Sequence, residues 1–358
     1  VLLGHEDEYS GNKVTATRAT SPPAYPRCRP GLAIGLGLLV ILSFATFVYS
    51  LQMPGKTHAG QLPPLTAEET RVRDRLSAHI RTLAGSIGER NLWNYDALRA
   101  AAGYIQQTFV EMGFQPRDEP FESRGRAIRN LVAEKRGSSD PEAIVLVGAH
   151  YDSVLGSPGA NDNGSGVAAL LELARLFADR DLPRTVRFVA FVNEEPPFSY
   201  TAEMGSLVHA RGARARGEDI RAMLSLETIG HYSDDPGSQR YPFPLRWFYP
   251  DTANFIGFVG NLGSRKLVRS ALGSFREQVD FPAEGAALPE RIPGVGWSDH
   301  WSFWQVGYPA IMVTDTAFYR YPHYHTVRDT PDKVDYERTA RVVAGLMRVI
   351  AHLAGAAV

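Results

Sequence analysis

The chain has 358 residues, and its 38 Lys and Arg side chains are nearly balanced by 39 Asp and Glu side chains. That length can bury a large core in roughly one to three domains, and 44% hydrophobic with 22% charged residues is ordinary for a globular protein. The near-zero net charge gives no basic surface of the kind that binds nucleic acid, and the single cysteine, Cys28, excludes an intramolecular disulfide.

Residues 31–51 contain no charged side chain and predict a membrane-spanning segment. About twenty apolar residues at ~1.5 Å each cross the hydrocarbon core of a bilayer, whereas the apolar region of a cleaved signal peptide is usually about 7 to 15 residues. Three arginines precede the run and one lysine follows it closely: Arg18, Arg27, Arg29 and Lys56. The positive-inside rule therefore predicts a cytoplasmic segment at residues 1–30, an uncleaved signal anchor at 31–51 and a periplasmic or extracellular domain beyond it.

Residues 52–65 are rich in Pro and Gly and predict a linker. Thr66 and Glu69 then form a capping-box pattern, which predicts the start of a helix that continues to about Leu83. The large domain is accordingly expected to span residues 66–358.

From there on, apolar β-branched runs alternate with longer amphipathic segments. This alternation predicts an α/β fold, a three-layer sandwich with a largely parallel mixed central sheet flanked by helices. The predicted strands are residues 130–134, 143–148, 185–192, 222–226, 255–259 and 310–314. The predicted helices, besides the first, are residues 98–112, 166–178, 265–278 and 337–353.

Short segments that follow apolar runs carry side chains of the kind that bind metals. The segments are 148–153, 160–164, 193–196, 226–228 and 324–326. They contain the following imidazoles and carboxylates: His150, Asp152, Asp162, Glu194, Glu195, Glu227 and His325. Zinc binds both donor types, and two His with three carboxylates can serve two ions when one carboxylate bridges them. Three predicted strands end next to such residues, and ligands of open α/β sheets bind beyond the carboxyl ends of strands.

Each of these residues also has a structural interpretation. Asp162 lies in an Asp-Asn-Gly-Ser string that is typical of a turn and a helix cap, a role compatible with metal binding. The Glu194–Glu195 pair could be solvated, but it closes a predicted buried strand just before two prolines. Asp152 lies two residues after His150, where its carboxylate can fix the orientation of the imidazole.

In their order along the chain and in their local sequences, these segments resemble the M28 family of zinc peptidases, which contains bacterial aminopeptidases and glutamate carboxypeptidase. The resemblance covers roughly residues 66–358 and includes Ser298-Asp299-His300, Tyr324-His325-Thr326 and Asp329-Thr330. It implies a zinc-exopeptidase fold in which His150, Asp162 and Glu227 hold one zinc ion. Asp162, Glu195 and His325 would hold the second.

The resemblance also implies that Glu194 is the general base. Tyr324 resembles the phenol that donates to the tetrahedral oxyanion in some relatives, with a core or rim aromatic as the equal alternative. Asp299 resembles a residue that supports the ligands from behind, and a purely structural hydrogen-bonding role is equally compatible.

The expected function is that of a membrane-anchored two-zinc exopeptidase that acts on peptides, most simply an aminopeptidase. A carboxypeptidase of the glutamate carboxypeptidase type is the nearest alternative, and it would need arginines for the substrate carboxylate. Glutaminyl cyclase shares the fold but uses one zinc, and a receptor-like ectodomain would have lost ligands. The intact set of five candidate ligands argues against both.

Overall fold

A computed structural model describes residue 11 and residues 30–356 of the chain. Its first helix, α1, spans Pro30–Leu51, where the sequence predicts the signal anchor. The chain divides into two units between Thr46 and Phe47, so α1 begins in the first unit and ends in the second. Across the residues that the structure describes, no helix reaches the combination of length and apolarity that crossing a bilayer requires. The predicted membrane span therefore has no structural support, and the predicted cytoplasmic segment lies almost wholly outside the described residues.

The second unit contains a mixed eight-stranded sheet with the order β1-β2-β4-β3-β5-β8-β6-β7. The strands are β1 Arg117–Ser123, β2 Arg126–Lys135, β3 Asp140–His150, β4 Arg184–Phe191, β5 Asp219–Glu227, β6 Ile256–Asn261, β7 Ala283–Leu288 and β8 Ala310–Thr314. The run β4-β3-β5-β8 is parallel, as is the pair β6-β7, whereas the remaining neighbours are antiparallel. The predicted mixed, largely parallel sheet is thus confirmed.

Helices cover both faces of this sheet. They are α2 Ala67–Ile80, α3 Tyr95–Glu111, α4 Gly166–Phe177, α5 Gly205–Ala215, α6 Arg265–Gln278, α7 His300–Trp304, α8 Ala317–Arg320 and α9 Tyr336–Leu353. Along β3, Val145 and Val147 pack in a core with α2, α3, α4, α6 and α9, whereas Ile144 and Leu146 pack in another with α5 and α7. Side chains that alternate between two covered faces explain why this strand is apolar throughout.

All six predicted strands are present, but β1 and β7 were missed. β1 lies at one edge of the sheet with the sequence Arg-Asp-Glu-Pro-Phe-Glu-Ser, in which Arg117, Asp118 and Glu122 are exposed. β7 lies at the other edge and consists of Ala, Gly, Leu and one Glu, so it has none of the β-branched residues that favour strands. An edge strand pairs with only one neighbour, and its sequence therefore shows the apolar, β-branched pattern of a strand less clearly.

The predicted linker, residues 52–65, runs along the domain through defined hydrogen bonds. Arg269 Nη1 on α6 donates to the main-chain oxygen of Gln52 at 2.5 Å, and Arg276 donates to that of Pro54 at 3.0 Å. The main-chain N–H of Ala283 donates to Thr57 Oγ1 at 2.9 Å. These contacts hold the first half of the segment against α6 and β7.

The predicted capping box at the start of α2 is present. The hydroxyl of Thr66 accepts from the main-chain N–H of Glu69, and the carboxylate of Glu69 accepts from that of Thr66 at 2.7 Å. The cap begins a helix that buries Val72, Leu76 and Ile80 in the core. It thereby satisfies two main-chain donors that helix geometry leaves free.

We expect Thr66→Ala to lower the free energy of unfolding by about 0.5–2 kcal/mol, because the donors of the first turn lose their acceptor. Chemical denaturation measures this loss. Thr66→Ser is the control, since it keeps the hydroxyl and should stay close to the wild type. Equal stability of the alanine and serine variants would contradict the role of the cap.

Candidate metal centre

The ends of three adjacent strands place most of the candidate ligands. His150 is the last residue of β3, and Glu227 is the last residue of β5. Gly148 pairs with Ser225 between these parallel strands, so His150 and Glu227, two residues further on, end at the same level. On the other side of β3, β4 ends at Phe191 and delivers Glu194 and Glu195 three and four residues later.

Left-handed backbone turns direct these side chains. Asn193, Thr228 and His325 have φ values of 61°, 44° and 57°, a region that residues with a Cβ rarely adopt. Asn193 precedes the Glu194–Glu195 pair, and Thr228 follows Glu227. Strained residues of this kind cluster at functional sites, where the surrounding structure holds them.

A first group of ligands consists of His150, Asp162 and Glu227. His150 Nε2 lies 3.4 Å from Asp162 Oδ1 and 3.2 Å from Glu227 Oε2. All three side chains are buried, and His150 Nε2 has no hydrogen-bond partner among the described residues.

A second group consists of Asp162, Glu195 and His325. His325 Nε2 lies 3.0 Å from Asp162 Oδ2 and 3.3 Å from Glu195 Oε2. The carboxylates are buried, whereas the His325 side chain is 32% exposed and marks the open side of the site. Asp162 belongs to both groups and directs one oxygen into each, which is the arrangement of a bridging carboxylate.

The donor set fits zinc. Within each group the donor atoms lie within 4.8 Å of one another, and they are imidazole nitrogens and carboxylate oxygens. Buried carboxylates packed together are unfavourable unless cations or protons compensate them. His150 Nε2 and Asp162 Oδ2 are buried without a hydrogen bond in the described part of the chain, as expected of atoms that coordinate a metal.

The pKa shifts show the same need for positive charge. Burial raises the pKa of Glu195 to about 7, and it raises that of Glu194 well above the usual range. Burial alone would lower the pKa of His150, but the carboxylates of Glu227 and Glu194 outweigh it and raise this pKa. Likewise, Asp162 and Glu195 overcome the effect of burial and raise the pKa of His325 to about 11. Because zinc binds imidazole and carboxylate in their deprotonated forms, metal binding to these side chains is coupled to proton release.

Asp152 fastens β3 to β4 at the site. Its carboxylate accepts from the main-chain N–H of Glu194 at 3.2 Å and from that of Glu195 at 3.1 Å. Its main-chain oxygen lies 3.1 Å from His150 Nδ1, whereas its carboxylate lies 3.6 Å away. Since a carbonyl oxygen only accepts, Nδ1 carries the proton and Nε2 is left for the metal. The main chain of Asp152, more than its carboxylate, therefore sets the orientation of the ring.

Asp329 fixes the main chain of Asp162. Its carboxylate accepts from the main-chain N–H of Asn161 at 2.8 Å and from that of Asp162 at 3.0 Å. Tyr321 donates its hydroxyl to the same carboxylate at 2.8 Å. Sequence reasoning used Asp329 only as part of a motif, and its place shortly after His325 was the one available signal of this role.

Arg90 is a second supporting residue that sequence reasoning missed. It is fully buried, and its guanidinium donates to the main-chain oxygens of Tyr151, Pro158 and Gly159 at 2.7, 2.5 and 2.8 Å. These oxygens belong to the loop between His150 and Asp162. A single arginine among polar residues usually lies on the surface, so the sequence offered no signal for it.

The two remaining predicted residues border the ligands. Tyr324 stacks on His325 with ring centroids 3.9 Å apart. Asp299 is fully buried, which raises its pKa to about 7, and neither of its oxygens has a hydrogen-bond partner in the described chain. Its neighbour Ser298, whose role was not predicted, donates to Glu227 Oε2 at 2.8 Å and holds that ligand.

Other histidines and acids of the same segments lie apart from the ligands. His209 pairs with Glu119 at 2.6 Å, and Glu203 accepts from Ser123, so both have structural roles. His323 packs edge-on against Tyr321 and belongs to neither ligand group.

Comparison with known proteins identifies the family of the chain. The model of peptidase family M28 matches residues 130–350, which is more than half of the chain. Uncharacterized protein YfbL of Escherichia coli is 39% identical over 77% of this chain and 87% of its own length. A probable zinc metalloprotease of Leptosphaeria maculans is 28% identical, and the matched region covers 75% of this chain and 64% of that protein.

Solved structures share the fold at low sequence identity. A zinc aminopeptidase from Bacillus subtilis superposes with a TM-score of 0.60 at 17% identity and covers 76% of this chain and 94% of its own. Porphyromonas gingivalis glutaminyl cyclase superposes with a TM-score of 0.58 at 20% identity over 78% of this chain and 98% of its own. The family match and the YfbL relationship decide the assignment: the chain belongs to peptidase family M28 and is a zinc peptidase.

Proposed function

We propose that the protein is a membrane-anchored two-zinc aminopeptidase that removes N-terminal residues from peptides. The observation that carries the proposal is the position of Asp162, whose two oxygens face separate histidine–carboxylate groups. The name of the Bacillus subtilis structure, a zinc aminopeptidase, supports the same activity.

Two zinc ions bound in these groups would acidify a water molecule and polarise the scissile carbonyl. Glu194 is the residue suited to move the proton of that water. Its carboxylate belongs to neither group, yet Oε2 lies 3.8 Å from His150 Nε2. A buried carboxylate with a raised pKa can accept a proton and return it to the leaving amine.

The buried Arg90 gives no support to the carboxypeptidase alternative. Asp152, Asp162 and Glu195 act electrostatically on Arg90, but this guanidinium donates to main-chain carbonyls. It is therefore not free to bind a substrate carboxylate.

Glutaminyl cyclase activity is the second candidate, because one of the matched folds belongs to such an enzyme. The enzyme class uses one zinc ion, whereas this chain keeps a second histidine, His325, in a second group of donors. That second group supports the peptidase.

The proposed membrane location of the protein is argued from the sequence alone. The uncharged residues 31–51 and the arginines before them support a single membrane span with the N-terminus in the cytoplasm. The catalytic domain would then act in the periplasm or outside the cell.

We expect Asp162→Asn to lower zinc content and peptidase activity together, because one substitution weakens both groups. Elemental analysis of the purified protein and turnover of aminoacyl substrates measure the two effects. Glu172→Gln is the control, since Glu172 is buried in α4 but belongs to neither group. Full zinc content with normal turnover in Asp162→Asn would rule out the bridge.

Replacement of Glu194 by Gln should leave both zinc ions bound while turnover falls by about 10²- to 10⁴-fold, the usual contribution of general acid–base catalysis. The amide keeps the shape of the side chain but cannot accept the proton. Glu203→Gln serves as the control, because that carboxylate bonds to Ser123. Loss of zinc in the Glu194 variant would make it a ligand, and near-normal turnover would leave the mechanism without its base.

If the proposed topology holds, protease added to intact cells or spheroplasts should degrade the domain that follows residue 60. Immunoblotting against the C-terminus measures the loss, and a cytoplasmic protein that stays intact verifies the membrane. Protection of the domain until the cells are permeabilised would reverse the orientation.

A further inference from the structure

Exposed aromatic side chains surround the C-terminal end of α1. The side chains of Phe243 and Trp247 are 74% and 63% exposed, and those of Tyr49 and Phe248 are also exposed. We call these four residues the exit patch. Exposed apolar surface of this kind marks a site of contact with another apolar phase or protein.

Two pairs of aromatic rings lie in contact at the exit patch. The rings of Phe243 and Trp247 meet edge to face with centroids 4.9 Å apart. The ring of Phe248, next to Trp247, meets that of Phe47 at 5.5 Å. The patch therefore joins the last turns of α1 to the segment between β5 and β6.

Packing of that segment on the domain does not account for the exposed rings. Its inner side chains, Tyr241, Leu245 and Tyr249, pack in one cluster with Phe47 and Leu51. The hydroxyl of Tyr249 donates to the main-chain oxygen of Gly285 on β7 at 2.7 Å. Since these contacts hold the segment in place, Phe243 and Trp247 are left free to contact a partner.

Two arginines of α6 also hold the end of α1 and the residue that follows it. The guanidinium of Arg265 stacks on the ring of Tyr49 at 3.8 Å and donates to the main-chain oxygen of Tyr49 at 2.7 Å. Arg269, one turn along α6, holds the main-chain oxygen of Gln52. Residues 49–52 are therefore held against α6 next to Tyr49 of the exit patch.

Basic side chains accompany the patch. The exposed Arg246 lies over the ring of Trp247, 5.5 Å from its centroid, and the half-buried Arg265 lies over the ring of Tyr49. Arg265 makes its hydrogen bonds to main-chain oxygens, so carboxylates do not neutralise it there. Aromatic rings next to basic residues are typical of the interface between a bilayer and water, where the rings lie at headgroup level and the cations attract anionic lipid.

We propose that the exit patch lies in the headgroup region of a bilayer that contains anionic lipid. The proposal rests on the membrane anchorage of residues 31–51 proposed above, and it is independent of the peptidase chemistry. It adds a second contact with the membrane, through which the catalytic domain is held in one orientation.

The test uses the full chain with Cys28→Ser, because Cys28 is the only cysteine. Phe243→Cys carries an environment-sensitive fluorophore, and the protein is reconstituted in phosphatidylcholine–phosphatidylglycerol vesicles with a nitroxide near the headgroup of the lipid. The matched control carries the same probe at Val110→Cys. Val110 is 49% exposed on α3, which packs on β2 near the opposite edge of the sheet from β6 and β7.

We expect nitroxide quenching at position 243 to be at least twofold greater than at position 110. Equal quenching at both positions, in protein that resists alkaline carbonate extraction, would overturn the membrane contact while leaving the anchor intact. Release of the protein by carbonate would refute the anchorage and this inference together, and peptidase activity measured on the same sample would still test the chemistry. Energy transfer between probes at position 243, without nitroxide quenching, would assign the patch to a second copy of the chain.

Discussion

The site depends on the electrostatic cost of burying several carboxylates in one place. Asp162, Glu194, Glu195 and Glu227 converge with two imidazoles where water is largely excluded. Such a cluster is stable only when positive charge compensates it, and the same carboxylates raise the pKa values of His150 and His325. Asp162 belongs to both ligand groups, because one of its oxygens faces His150 and the other faces His325. A pair of divalent cations would satisfy this arrangement without protons, and metal binding would then be linked to the shape of the site.

The fold supplies the rigidity that this cluster requires. Parallel strands bring His150 and Glu227 to one level, while the ligands on loops need further support. Asp152 binds the main chain that carries Glu194 and Glu195, and Asp329 does the same for Asp162. Arg90 fastens the loop between them through main-chain carbonyls. The supporting contacts thus act on the backbone, where a small displacement would move a whole side chain.

The sequence predicted the parts of this architecture that obey local rules. The central strands are apolar because both faces are covered, and the box at Thr66 is a local hydrogen-bonding pattern. The predicted ligands come together in two groups because most of them follow strand ends that meet in a parallel sheet. Resemblance to the M28 family, which the comparisons confirm, supplied the division of roles between Glu194 and Glu195.

What the sequence could not predict depends on contacts between distant segments. Arg90 and Asp329 act through main-chain groups of other loops, and no local pattern distinguishes them from surface residues. The edge strand β7 is paired only with β6 and has a small-residue sequence with little strand preference. The exit patch belongs to the same class, since its rings come from α1 and from a segment about two hundred residues later in the sequence.

In the proposed centre, the carboxylate of Asp162 is shared by two metal ions. Anomalous diffraction from crystals of the zinc-loaded protein, recorded on both sides of the zinc absorption edge, tests it most directly. We expect two zinc peaks, one among His150, Asp162 and Glu227 and the other among Asp162, Glu195 and His325, with the carboxylate of Asp162 between them. A single peak at full zinc loading, or two peaks of which only one contacts Asp162, would contradict it.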